Sequence, residues 1–301
     1  DTYGTVVGVI NPKSKYKVVI EAHADEISWF VNYITDDGYI YVIRNGGSDH
    51  QIAPSMRVNI QTKKGIVKGV FGWPAIHVRD PKTEQNPSLK NIFIDVGCSS
   101  KKEVEAMGVH VGCVVTFEDE LMELNKKYFT GRALDNRMGG FMIAEVVKRL
   151  SENKKKLDFG LYVVNSVQEE IGLRGAQMIA ERISPDVAIV TDVTHDTNSP
   201  MYDKKKSGDI KAGSGPALTF GPAVQNNLLD LLIKTATGGV KWVDNTNVET
   251  GAAGTYTQVQ FHDATGLLGG APNFVFDFTN NRIGIGSTQP DRLLDVFGDS
   301  R

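Results

Sequence analysis

Six side chains carry most of the chemistry this sequence can do: His23, Asp25, Asp135, Glu169, Glu170 and Asp192. Three apolar stretches run straight into them: KVVIEAHAD (residues 17–25), FGLYVVNSVQEE (159–170) and DVAIVTD (186–192). ALDNR (133–137) opens the intervening helix. Carboxylates gathered at neighbouring strand ends repel one another, and desolvation worsens the repulsion. A pair of divalent cations is the simplest remedy. A dinuclear hydrolytic site needs a carboxylate bridging cations about 3.5 to 4 Å apart, with terminal His and acidic ligands. It also needs a base near the attacking water that is not itself a ligand. Adjacent Glu169 and Glu170 can divide those tasks, one binding a cation while its neighbour faces the water. Asp25, two residues past His23 on an extended strand, falls on the same side and can orient the imidazole. His-x-Asp and Glu-Glu are each common by chance. Their combined position, order and type favour a metal site over unconnected surface acids.

The elements that must position these groups read as an α/β layered domain. TVVGVIN (residues 5–11) and KVVIEAHAD are strands separated by the turn-like residues 12–15. Met138, Met142, Ile143, Val146, Val147 and Leu150 follow helical spacing, and Leu173, Ala176, Ile179, Ala180 and Ile183 give a second helix that stops at Ser184-Pro185. With strands at residues 159–166 and 187–191, the order strand, helix, strand, helix, strand predicts a mostly parallel central sheet. Ligands bind beyond the carboxyl ends of such strands, where these acids fall. Between residues 38 and 128 short alternating segments rich in glycine predict a small inserted β-rich domain, leaving 1–37 and 129–234 as the α/β domain. His50, His77 and His110 in the insertion stand apart from acids at ligand spacing and read as ordinary surface or core histidines.

Composition narrows the function classes. The chain has 301 residues, a formal charge of −3 and a sequence pI near 6.1, which leaves no footprint for nucleic acid or an anionic membrane. The Lys triplets at 154–156 and 204–206 read as solvated loops. Two cysteines, Cys98 and Cys113, make no disulfide framework, which points to a reducing, cytoplasmic setting. No apolar run reaches the roughly 18 residues of a membrane span. The first residue is not Met, so the start reads as missing.

AHADEISWFV, GRALDNRMGG, SVQEEIGLRGA and VTDVTHDT resemble, in order and spacing, the co-catalytic metallo-aminopeptidases of peptidase family forty-two, over about residues 2–233. The resemblance implies a layered α/β metallopeptidase domain with an inserted dimerisation domain, and two divalent metal ions, zinc or cobalt. It implies peptide substrates cleaved at the N-terminus and a homo-oligomer, from dimer to hollow dodecamer. It also implies roles. His23 and Asp192 bind the first metal, Asp135 bridges, Glu170 binds the second, Glu169 is the general base, and Asp25 supports His23. Some members were once labelled cellulases. Glycoside hydrolysis needs two opposed carboxylates and no metal, and the histidine in this cluster argues against it.

The family completes its second metal with a His inside a final helix-strand unit, expected after PAVQNNLLDLLIK (residues 222–234). That unit is not evident, and His262 sits in QVQFHDATG, which does not match the pattern. The second metal, left with Asp135 and Glu170, is therefore expected to be weakly occupied and activity impaired. Residues 235–301 read as a foreign segment, rich in Asn, Thr and Gly with short β-like pieces. Residues 250–296 resemble a repeat of phage tail-fibre and appendage proteins, expected to be poorly ordered as a monomer. The abrupt switch favours an artificial join of two reading frames over a genuine fusion. The tail also raises a competing reading, a structural appendage subunit, against which the intact acid cluster argues.

Overall fold

A computed structural model describes residues 1–234 except 84, 153 and 155, and beyond them the backbone of 235, 241–244, 274–277, 282–285 and 294–296. The chain divides into two compact units, Asp1–Asp25 with the chain from Leu134 onward, and Glu26–Ala133. The first unit begins with β1 (Val6–Ile10) and β2 (Lys17–His23).

The second unit is a closed barrel. Its strands are β3 (Ser28–Ile34), β4 (Ile40–Asn45), β5 (Arg57–Thr62), β6 (Gly65–Gly72), β7 (Phe93–Asp95) and β8 (Val114–Phe117), with α1 (Lys101–Ala106) between the last two. A hairpin of β9 (Met122–Leu124) and β10 (Tyr128–Thr130) follows. The glycine-rich alternation has its cause here. One side of each strand fills the barrel with Val31, Ile40, Ile60, Phe71, Ile94 and Val115, while the other faces out. Trp29 packs edge-on against Phe71 and Phe117, with centroids 5.1 and 4.7 Å away. The expected boundary at residue 38 therefore needs correcting, because β3 lies before it and closes the barrel by pairing with both β4 and β8. Without β3 those two strands would present open edges. At the other end the unit runs past residue 128, to Ala133.

The chain then returns to the first unit through α2 (Leu134–Glu152), β11 (Gly160–Ser166), α3 (Arg174–Ile183) and β12 (Val187–Val190). Four strands form one sheet in the order β1-β11-β2-β12. β2 lies parallel to β11 and β12, and β1 is antiparallel to β11. Both faces are covered, which is why the central strands read as near-continuous apolar runs. On one face Ala22, Leu161 and Val163 pack with Ile143 and Leu150 of α2, and on the other Val19 and Val164 pack with Ile179 and Ile183 of α3.

Further on come α4 (Lys204–Ser207), β13 (Ala217–Phe220) and α5 (Asn226–Thr235). The lysines expected in a loop form the single turn of α4, because the Asp203 carboxylate caps it by accepting from Lys205 N–H. β13 pairs in parallel with β14 (Lys241–Asp244), so a strand does follow α5. NFVFDF and NRIGIG contribute β15 (Phe274–Asp277) and β16 (Arg282–Ile285), which pair antiparallel, with β17 (Leu294–Val296) alongside. His262 and most of the tail-fibre-like stretch lie outside the described residues. Among the described residues no helix is long and apolar enough to cross a membrane.

Candidate metal centre

β2 ends at His23 in the middle of the sheet, between the strand that leads to Glu169 and Glu170 and the strand that leads to Asp192. All three strands run the same way, so their carboxyl ends converge. The imidazole is 3% exposed. Its Nε2 lies 3.0 Å from Asp135 Oδ1, 3.7 Å from Glu169 Oε2 and 3.7 Å from Asp192 Oδ1. Nδ1 is 3.1 Å from the Asp25 main-chain oxygen, which can only accept, so Nδ1 carries the proton and donates. With the proton placed on Nδ1, Nε2 faces the acids, as a donor when the ring is protonated and as the ligating nitrogen when it is neutral.

Asp25 also organises the neighbouring turn. Its two carboxylate oxygens accept from the backbone N–H groups of Glu169 and Glu170, at 3.1 and 3.2 Å. The turn is tight: Gln168 and Leu173 have left-handed backbone at φ 62° and 60°, and Gly172 and Leu173 N–H both donate to Glu169 O. Burial works against the Asp25 anion, but hydrogen bonds from His23 and from that turn hold its pKa below the usual value.

Asp135 does not open a helix, as ALDNR suggested. Asp135 and Asn136 have non-helical backbone, and the helix proper begins after them. Asn136, 1% exposed, is the cap: Oδ1 accepts from Gly139 N–H at 2.9 Å, three residues on, while Nδ2 donates to Thr191 O at 2.7 Å. One amide thus fixes the residue after Asp135 against the residue before Asp192. The sequence reading passed over Asn136, although an Asn three residues before a helical Gly is a capping signal. There is no room for a side chain beside it. A Cβ on Gly139 would sit 2.4 Å from Asn136 Oδ1 and 2.8 Å from Thr191 Oγ1. Gly139→Ala is expected to cost about 1–3 kcal/mol by overpacking, despite alanine's better helix propensity. The readout is the urea unfolding midpoint, and an unchanged midpoint would refute the clash.

Among the described residues two donor groups result, His23 with Asp135 and Glu170, and His23 with Glu169 and Asp192; within each, the ligand atoms lie within 4.8 Å of one another. His23 is common to both, whereas the family resemblance makes Asp135 the shared residue. The charges show what the centre accommodates. Burial pulls the His23 pKa down, yet hydrogen bonds to Asp135, Asp192 and Asp25 push it up to about 12. Burial, then the like charges of Asp135 and Glu169, raise Glu170 to about 7. In the metal-free protein the imidazolium supplies the positive charge that the carboxylates demand. Nitrogen and carboxylate donors suit zinc or cobalt, and ligands of a tetrahedral ion with bonds of about 2.0–2.2 Å stand roughly 3.4 Å apart. The Nε2 distances of 3.0 to 3.7 Å bracket that spacing, so the residues fit a cation. Neither group includes His50, His77 or His110.

Comparison with known proteins gives the class and then the family. The fold matches a TET aminopeptidase from the marine sediment archaeon Thaumarchaeota archaeon SCGC AB-539-E09, with TM-score 0.75, 27% identity, and coverage of 81% of this chain and 70% of that one. It also matches the Pyrococcus horikoshii TET1 peptidase, which can assemble into a tetrahedron or a large octahedral shell, with TM-score 0.70, 26% identity, and coverage of 81% and 72%. The lysyl aminopeptidase of Pyrococcus furiosus is 35% identical over 214 residues, 70% of this chain and 60% of that protein. Residues 4–244 match the model of the M42 glutamyl aminopeptidase family, and the chain belongs to that family. The match runs beyond residue 233, where the sequence reading ended the resemblance, and takes in β14. The chain spans about 60% of the length of the curated relatives it matches.

Proposed function

We propose that the protein is a metal-dependent aminopeptidase that removes N-terminal residues from peptides. The observation that carries this reading is the convergence of Asp135, Glu169, Glu170 and Asp192 on a buried His23 at parallel strand ends. His23 and Asp192 would hold one divalent cation, Glu170 a second, and Asp135 both; zinc or cobalt fits the donors. When bound, the cations polarise the scissile carbonyl and acidify water. Glu169 takes the water proton and passes it to the leaving amine, Asp25 holds the Glu169–Glu170 turn and the imidazole in place, and Asn136 sets Asp135 against Asp192. A weak second cation is expected, because among the described residues the only histidine grouped with Asp135 and Glu170 is His23, which is assigned to the first cation.

The Glu26–Ala133 barrel is the proposed dimerisation domain, and the assemblies of the TET relatives support a homo-oligomer between dimer and dodecamer. A cytoplasmic setting fits the two free cysteines. The segment beyond the family match, after residue 244, is proposed to be a foreign, appendage-like tail that takes no part in catalysis.

The test is cleavage of chromogenic amino-acid amides. Activity is expected to vanish with chelator and return with Zn2+ or Co2+. Cleavage indifferent to chelator, or none after reconstitution, would overturn the proposal.

A further inference from the structure

Glu21 is a buried carboxyl that the chemistry above leaves unused. It lies on β2 two residues before His23, on the same face of the sheet, and is 5% exposed. Ser166, 0% exposed, stands opposite His23 in the β2–β11 register, and its hydroxyl donates to Glu21 Oε1. The same residue reaches the third strand through its main chain: Glu21 O accepts from Thr191 N–H at 2.8 Å and from Thr191 Oγ1 at 3.1 Å. Glu21 therefore touches the residue before Asp192 and the strand end before Glu169 and Glu170, from the strand that carries His23.

The location sharpens the point. Ala24 N–H donates to Ser166 O at 2.7 Å, and beyond that bond β2 and β11 part, one toward Asp25 and the other into the Glu169–Glu170 turn. Parallel ladders are slightly the weaker kind, and strand ends open first. An apolar residue would stabilise the sheet at lower desolvation cost than a carboxyl does. Packing alone therefore does not account for a carboxyl here.

We propose that Glu21 is a positioning residue of the metal centre, acting through Ser166 to hold the end of β11, and with it the Glu169–Glu170 turn, in register with His23. The inference rests on the metal-centre reading above. It predicts that the carboxyl's hydrogen bond, rather than its bulk or its charge, governs cation affinity.

The experiment is a Co2+ titration of the full chain, stripped of cations and followed by visible absorption, with thermal unfolding measured in parallel. Glu21→Leu and Ser166→Ala are expected to weaken Co2+ binding at least about tenfold, while Glu21→Gln, which keeps an acceptor for the Ser166 hydroxyl, stays within about threefold of wild type. Glu21→Leu is expected to unfold no earlier than wild type, which separates positioning from stability. Should it fail to fold, Ser166→Ala against Glu21→Gln still decides. Binding by Ser166→Ala indistinguishable from wild type would overturn the pair, as would Glu21→Gln as weak as Ser166→Ala. A wild-type chain that takes up no Co2+ would sink the metal centre and this inference together; unaffected variants beside a binding wild type sink the pair alone.

Discussion

Glu169→Gln is expected to lower kcat on an amino-acid amide by about 10²- to 10⁴-fold, the usual contribution of a positioned general base and equivalent to roughly 3–5 kcal/mol. The reasoning is geometric. Glu169 is held by its own backbone N–H, which donates to Asp25 at 3.1 Å, and its Oε2 reaches within 3.7 Å of His23 Nε2. A glutamine of the same shape keeps that placement and cannot accept a proton. Metal content decides between two roles for this side chain, because Glu169 also falls in a donor group with His23 and Asp192. Retained cations with lost turnover identify the base. Cations lost along with turnover would make Glu169 a ligand, and unchanged turnover would remove it from the chemistry.

The division of labour between Glu169 and Glu170 shows how far the sequence could be read. Their place at the end of a buried parallel strand was legible, because β2, β11 and β12 are covered on both faces and so appear as apolar runs that stop where the acids begin. Chemistry left open which glutamate would bind; family resemblance alone ordered them. Other features were hidden for physical reasons. SWFVNYI continues the AHADEI motif with no turn residue between, and only barrel closure assigns β3 to the second unit. Asn136 reads as a capping residue, but its hold on Thr191 spans 55 positions. Glu21 looks like a polar interruption of an apolar strand until Ser166, 145 positions away, is brought against it. Long-range pairings of this kind leave no local trace in composition or periodicity.

His23→Ala should have the other large effect, on cation binding and on stability together. His23 is a proposed ligand of the first cation, so its loss is expected to weaken that cation by more than the 10- to 100-fold typical of outer partners and to loosen the second through the shared Asp135. Elemental analysis after reconstitution should find the variant nearly empty. The metal-free protein should suffer as well, since removing the imidazolium takes away the positive charge that lies within 3.0 to 3.7 Å of Asp135, Glu169 and Asp192. Breaking a buried ion pair on one side costs about 3–5 kcal/mol. The pH dependence follows from the sign of the shift. The folded-state pKa, about 12, lies above the ordinary 6.5, so the contribution of His23 is full below pH 6.5 and declines as pH rises toward 12. The stability gap between metal-free wild type and His23→Ala should therefore be widest near pH 6 and narrow at pH 9. A gap that grows with pH would mean that His23 is neutral in the metal-free cluster and that the acids themselves hold the protons. The centre would then be built around shared carboxyl hydrogens rather than around a positive charge.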